Sequence, residues 1–219
     1  MFDFFQKKKE IDNKINEYKK SKIEATSMDE FVDQDSEMLL LFGDCEPLTK
    51  KIKLLLVSDT HNGLDELRFA DYVYRYNEYD ACILLGNSTD KDLAIIKKYI
   101  DNKKLYSITN AYKDIKCIDG KIIRINGVNI LGLGKHPATQ KNCLLFFESK
   151  DKADVLITYD NRFTTIDGGG YFGINYYIYK NKVSHHIHGG LLKQYKDTMP
   201  NGTKEISTYD FEYVELPIE

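Results

Sequence analysis

Ile52-Lys53-Leu54-Leu55-Leu56-Val57 runs directly into Ser58-Asp59-Thr60-His61-Asn62-Gly63. Six residues that are almost all apolar and branched, closed by a polar turn with glycine, predict a strand buried on both faces. The Asp-x-His spacing lets a carboxylate and an imidazole leave one tight turn on the same side, a common way to hold a divalent metal with oxygen and nitrogen ligands. Alone, Asp59 is equally suited to capping the helix expected over Leu64–Tyr76, and Asn62 could do the same.

The pattern repeats downstream. Ala81–Leu85 predicts a second buried strand, ending in Gly86-Asn87, and Lys91–Ile100 a helix with Asp90 as its N-cap. Leu105–Ile108 predicts a third strand, ending in Thr109-Asn110. Lys121–Ile125, Val128–Gly132, Val155–Thr158 and Tyr209–Leu216 read as further strands. Strands alternating with helices, followed mostly by strands, predict an α/β domain. Asp59, His61, Asn87 and Asn110 then fall just past the C-terminal ends of successive strands, where open α/β sheets form their ligand crevice.

The 219 residues are 42% apolar and 30% charged, enough for a core and a soluble surface. The net charge of −3 argues against a generic nucleic-acid binder, whose affinity rests on clustered positive charge. No apolar run approaches the roughly 20 residues of a spanning helix, and no signal-peptide pattern opens the chain. Cys45, Cys82, Cys117 and Cys143 are scattered without a C-x-x-C pair, which predicts reduced thiols and a cytoplasmic protein.

Residues 1–50 stand apart, with eight basic and twelve acidic side chains. Ile11, Ile15 and Tyr18 fall at i, i+4, i+7, with Phe4 one heptad earlier, which predicts an amphipathic helix over about residues 4–22. It can fold back on the main domain or serve a partner, including a homodimer through the helix. The division expected is an N-terminal helix and linker over 1–49 and a main domain over 50–219.

Taken together the strand-end blocks resemble the calcineurin-like metallophosphoesterase superfamily, whose pattern is D-x-H, G-D, G-N-H, a strand ending in T-H, and G-H-x-H. Leu54–Asn62 is similar to the first block, Leu84–Asp90 to the second and Ile108–Ala111 to the third. Ile130–Gly134 resembles the strand and turn that follow, Val155–Asp160 the T-H block, and Lys182–Leu192 the last. The resemblance covers about residues 50–216. It implies a four-layer α/β sandwich carrying the N-terminal helix, and in the family two metal ions bind the phosphoester and activate a water.

The departures bear on function. Asp59, His61 and Asn110 match family ligands. Asn87 stands where the family has its bridging Asp, and a neutral amide is a poor bridge between two cations. Tyr159 replaces the His of the T-H block, Gly190 and Leu192 replace the two His of the last block, and Ala111 replaces the His that donates a proton. A second register places His186 and His188 in the last block as ligands, and Asp59, His61 and His188 could then hold one metal. Against it, Lys182 lies seven residues before Gly189, as expected for the first register. His136, Lys135 and Arg162 are loop candidates for substrate contact whose plain alternative is solvation.

The resemblance therefore implies a metallophosphoesterase-fold protein with most metal ligands lost, non-catalytic, binding a partner protein or a phosphorylated small molecule. It implies no cofactor, or at most one divalent metal (Mn, Zn or Fe). The alternative is a weak or single-metal phosphoesterase acting on phosphomonoesters or phosphodiesters. A third option is a scaffold working through the N-terminal helix.

Overall fold

The computed structural model describes residues 50–60, 63–134, 151–160, 171–191 and 193–218. The helix expected over residues 4–22 lies outside them, as do His61, Leu192, His136, Lys135 and Arg162. Two mixed sheets make up the described structure.

The first sheet is built on the opening run. Strand β1 (Lys50–Ser58) pairs parallel with β2 (Ala81–Gly86), and β2 with β3 (Leu105–Ser107). The two-residue β4 (Lys116–Cys117) extends that edge, also parallel. Helix α1 (Glu66–Arg75) connects β1 to β2, and α2 (Asp90–Tyr99) connects β2 to β3. The α1 helix starts at Asp65, whose side chain accepts from the Arg68 amide at 3.0 Å, so neither Asp59 nor Asn62 caps it. The cap of α2 is Thr89, not Asp90. Thr89 and Asp92 form a capping box, with the Asp92 amide donating to Thr89 Oγ1 at 3.3 Å and the Thr89 amide donating back to Asp92 at 2.8 Å. On the other side of β1 lies β11 (Asp210–Ile218), antiparallel over nine residues.

The second sheet has the order β5-β6-β7-β8-β10-β9. Its strands are β5 (Ile122–Ile125), β6 (Val128–Leu133), β7 (Val155–Thr158), β8 (His185–His188), β9 (Tyr195–Thr198) and β10 (Lys204–Ser207). Strands β6, β7, β8 and β10 run parallel, with β5 and β9 antiparallel at the edges. Helix α3 (Phe172–Asn181) precedes β8. It was not expected from its sequence, Phe-Gly-Ile-Asn-Tyr-Tyr-Ile-Tyr-Lys-Asn, whose aromatic and branched residues favour strands. Its buried residues, Gly173, Ile174, Tyr177 and Ile178, fall on one helical stripe, and packing decides the outcome.

Alternation along the strands separates three layers of core. Ile52, Leu54 and Leu56 of β1 meet Ile130, Ile157, Ile187 and Ile206 between the sheets. Leu55 and Val57 point the other way, with Cys82 and Leu84, onto Phe69 and Val73 of α1 and Leu93 and Ile96 of α2. Leu131, Leu133 and Leu156 face Ile174, Tyr177 and Ile178 of α3. The layers are therefore helix, sheet, sheet, helix: the four-layer α/β sandwich expected. No helix among the described residues is long and apolar enough to cross a membrane.

Candidate functional site

Both sheets end at one rim. At the first sheet, the β1–β2 register shifts between Val57 and Ser58, and both chains then turn sharply. Asp59 takes φ 57° and Asn87 φ 55°, and the Asp59 amide donates to Gly86 O at 3.1 Å. Asp and Asn are the residues with side chains that best tolerate this left-handed backbone. The two turns aim their side chains at each other, and Asn87 Nδ2 donates to Asp59 Oδ1 at 2.7 Å.

The second sheet supplies Tyr159, after β7, and Gly189-Gly190, after β8. The Gly190 amide donates to Asp59 Oδ2 at 2.9 Å, and the Ser58 hydroxyl to the same oxygen at 2.6 Å. The Tyr159 hydroxyl stands 3.5 Å from Asp59 Oδ1 and accepts a short hydrogen bond from Asn87 Nδ2. Burial raises the Tyr159 pKa, and the Asp59 charge adds to the effect, so the phenol is neutral and its hydrogen available. Asp59 itself is 2% exposed.

Two glycines make this approach possible. At Gly86, with φ 134°, a Cβ would sit 3.1 Å from the Tyr159 ring. At Gly189 a Cβ would lie 2.2 Å from Ser58 Oγ and 3.2 Å from Asp59 Oδ2. A side chain at either position would push the rims apart.

Asn110 and Ala111 do not join this cluster. They line an adjoining crevice of about 490 Å³ with Asn87, Tyr159, Tyr112 and Asp119. Tyr112 and Asp119 were not singled out in the sequence. The Tyr112 hydroxyl accepts from the Ser88 amide at 3.1 Å, and Asp119 Oδ1 accepts from the Gly134 amide at 2.8 Å. Neither follows a recognisable motif.

Asp92, also unmarked in the sequence, fastens the turn that carries Asp59 and Thr60. It is 1% exposed and accepts from Thr60 Oγ1 at 2.8 Å and the Leu64 amide at 2.7 Å, besides its two bonds from Thr89. Burial alone would push its pKa up, but these hydrogen bonds win and hold it below the ordinary aspartate range.

His186 and His188 lie on the opposite face of β8 from Ile187, which packs between the sheets. His186 Nε2 is 2.9 Å from Thr158 Oγ1, and His188 Nε2 is 3.1 Å from the Tyr195 hydroxyl. The buried Glu205 carboxylate sits between them, 3.6 Å from His186 Nδ1 and 3.8 Å from His188 Nε2. The fold thus gathers Asp59, Asn87, Tyr159 and Gly190, puts Asn110 and Ala111 beside them, and places His186 and His188 across the sheet.

The layers and the rim define a metallophosphoesterase-like α/β sandwich. Solved structures of similar fold include a predicted phosphoesterase from Streptococcus pneumoniae TIGR4, at 12% identity, covering 76% of this chain and 83% of that one, with a TM-score of 0.43. Zinc-complexed Vps29 from Entamoeba histolytica matches at 11% identity over 73% of this chain and 74% of its own, TM-score 0.45. GAP50, the anchor in the inner membrane complex of Plasmodium, matches at 8% over 77% and 82%, TM-score 0.48. The phosphoesterase and Vps29 chains are members of the calcineurin-like metallophosphoesterase superfamily, the family that the motif blocks resemble. No protein-family model matches the chain, and no curated protein matches it.

Proposed function

We propose that this chain is a binding protein on a metallophosphoesterase-like fold, without the family's two-metal centre, and that it engages a protein partner at the crevice beside Tyr159. The observation that carries this is the state of the Asp59 carboxylate. It takes hydrogen bonds from Ser58, Asn87 and Gly190, and the Tyr159 hydroxyl closes its remaining side. A carboxylate has about four lone-pair sites, and here protein donors meet three of them at 2.6–2.9 Å. A cation at the same oxygens would face N–H and O–H hydrogens. Asn87 turns its amide nitrogen toward Asp59, the reverse of what a bridging ligand needs. These residues do not fit a dinuclear centre.

The crevice favours a partner that offers uncharged hydrogen-bonding groups. Among its described lining residues there is one carboxylate, Asp119, and no Lys, Arg or His. A phosphate there would meet negative charge without a described counter-charge. Thr109 and Asn110 instead line it with a hydroxyl and an amide suited to peptide groups.

The test is the metal content of the full chain after incubation with Mn²⁺ and desalting, by elemental analysis. The expected result is no retained metal. Retention of about one or two ions per chain would overturn the proposal and support the phosphoesterase alternative.

A further inference from the structure

A second pocket, of about 660 Å³, opens at the far end of the second sheet, where β8 and β10 begin. His185 and Lys204 are register partners there, on the same strand face as Ile187 and Ile206, so the pocket enters the seam between the sheets beside Pro217 of β11. Its described lining includes Lys182, Ser184, His185, Asn201, Thr203 and Lys204, and contains no carboxylate.

The two lysines differ from five others described. Lys51, Lys53, Lys97, Lys98 and Lys196 are each ion-paired. Lys182 has no described carboxylate within ion-pair distance, and Lys204 reaches only the Thr198 hydroxyl, at 3.1 Å. Asn201 uses its carbonyl to accept from the Thr203 amide at 3.2 Å, which leaves its NH₂ as a donor. The Ser184 and Thr203 hydroxyls are committed to the backbone carbonyls of Asp154 and Val183, both at 2.7 Å.

His185 sets the selectivity. Its Nδ1 is 3.1 Å from Ser184 Oγ. That hydroxyl already spends its hydrogen on Asp154, so Nδ1 must donate and Nε2 is left as an acceptor. Burial and the Lys204 charge hold the ring pKa at about 4, which keeps it neutral at pH 7. A matching ligand carries anionic oxygens for the ammonium groups and an O–H for the imidazole.

We infer that this pocket binds hydrogen phosphate, the O–H-bearing inorganic ion, at a site separate from Asp59. The inference does not rest on the function proposed for the crevice. The experiment is a titration of the full chain with inorganic phosphate at constant ionic strength, followed by amide NMR shifts. Saturable shifts are expected at Ser184, His185, Thr203 and Lys204, with a Kd on the order of 1 mM, the strength of a few charge-assisted contacts. Sulfate lacks the O–H at neutral pH and should bind at least ~10-fold more weakly, the worth of one hydrogen bond to a charged group. The K182Q/K204Q variant, its fold verified by thermal melting, should lose saturation, while Asp59→Ala should keep it. Non-saturating shifts, equal response to sulfate, or unchanged binding by K182Q/K204Q would each overturn the inference.

Discussion

The Asn87 side-chain amide donates to Asp59 Oδ1 at 2.7 Å, across the gap between two left-handed turns at the ends of adjacent strands. In the family pattern the same gap lies between two carboxylates. An amide lets the two turns meet without a cation. Asn87→Asp would place two like charges in contact, raising the pKa of the pair in the folded state. A raised folded pKa gives stability that is present at low pH and lost as pH rises through it. The variant should therefore be less stable than wild type at pH 7, by about 1–3 kcal/mol, and recover below about pH 4. Adding Zn²⁺ should raise the Tm of N87D, and more so of N87D/Y159H, while leaving wild type unchanged; thermal melts with and without metal decide this.

Tyr159 fills the space between Gly86 and Gly190 with its ring and completes the surroundings of Asp59 with its hydroxyl. Tyr159→Phe keeps the ring and should cost about 1 kcal/mol. Tyr159→Ala removes the ring as well and should cost about 2–3 kcal/mol. Urea unfolding of both variants separates the two contributions. Equal losses would mean that the hydroxyl alone matters.

Asp92 predicts a pH dependence of the opposite sign. Its folded pKa is depressed, so its contribution is present above the ordinary aspartate range and is lost as pH falls through the folded value. Asp92→Asn puts a donor where the carboxylate now accepts from Thr60, Leu64 and Thr89. It should cost about 2 kcal/mol at pH 7 and flatten the acid limb of the stability curve below about pH 4. Denaturant midpoints from pH 3 to 7 measure both effects. Amide shifts near Asp59 should move as well, since Asp92 holds the turn that follows it.

Glu205 is 2% exposed and faces His186 and His188. Removing a buried polar group leaves its surroundings unsatisfied and opens a cavity, so Glu205→Ala should cost about 2 kcal/mol or more. Chemical denaturation checks it. A loss under about 0.5 kcal/mol, typical of exposed sites, would show that the group contributes nothing.

In the first sheet β1, β2, β3, β11 and the two helices were legible because each carries a local signal, whereas the two-residue β4 carries none. Buried branched runs give β1 and β2, and the period of Phe69 and Val73 gives α1. The approach of Asn87 to Asp59 followed from polar residues recurring at strand ends, a set that also held Asn110, while Tyr159 entered through the resemblance of its block. Other features have no such signal. Helix α3 is rich in Tyr and Ile, and only its packing on Leu131 and Leu156 makes it helical. The bond from Gly190 to Asp59 uses a backbone N–H, which every residue but proline offers. The side to which His186 and His188 point could not be read, because β8 is buried on both faces and both alternations carry histidine. The cap of α2 shifted from Asp90 to Thr89 because Asp92 closes the box from inside the helix. His61 and the N-terminal helix lie outside the described residues, so neither expectation is settled by the fold.

β11 joins β1 along nine residue pairs, Lys50 with Ile218 through Ser58 with Asp210. Arg68 fastens the junction, pairing with Asp210 at 2.6 Å and lying over the Phe211 ring. On the ribosome, β1 emerges well before the strand that completes its sheet. Until residue 218 clears the exit tunnel, one side of β1 must stay unpaired, an apolar strand edge open to other chains. Completion of the first sheet is therefore a late event in synthesis, because β1 and β11 pair across most of the described chain.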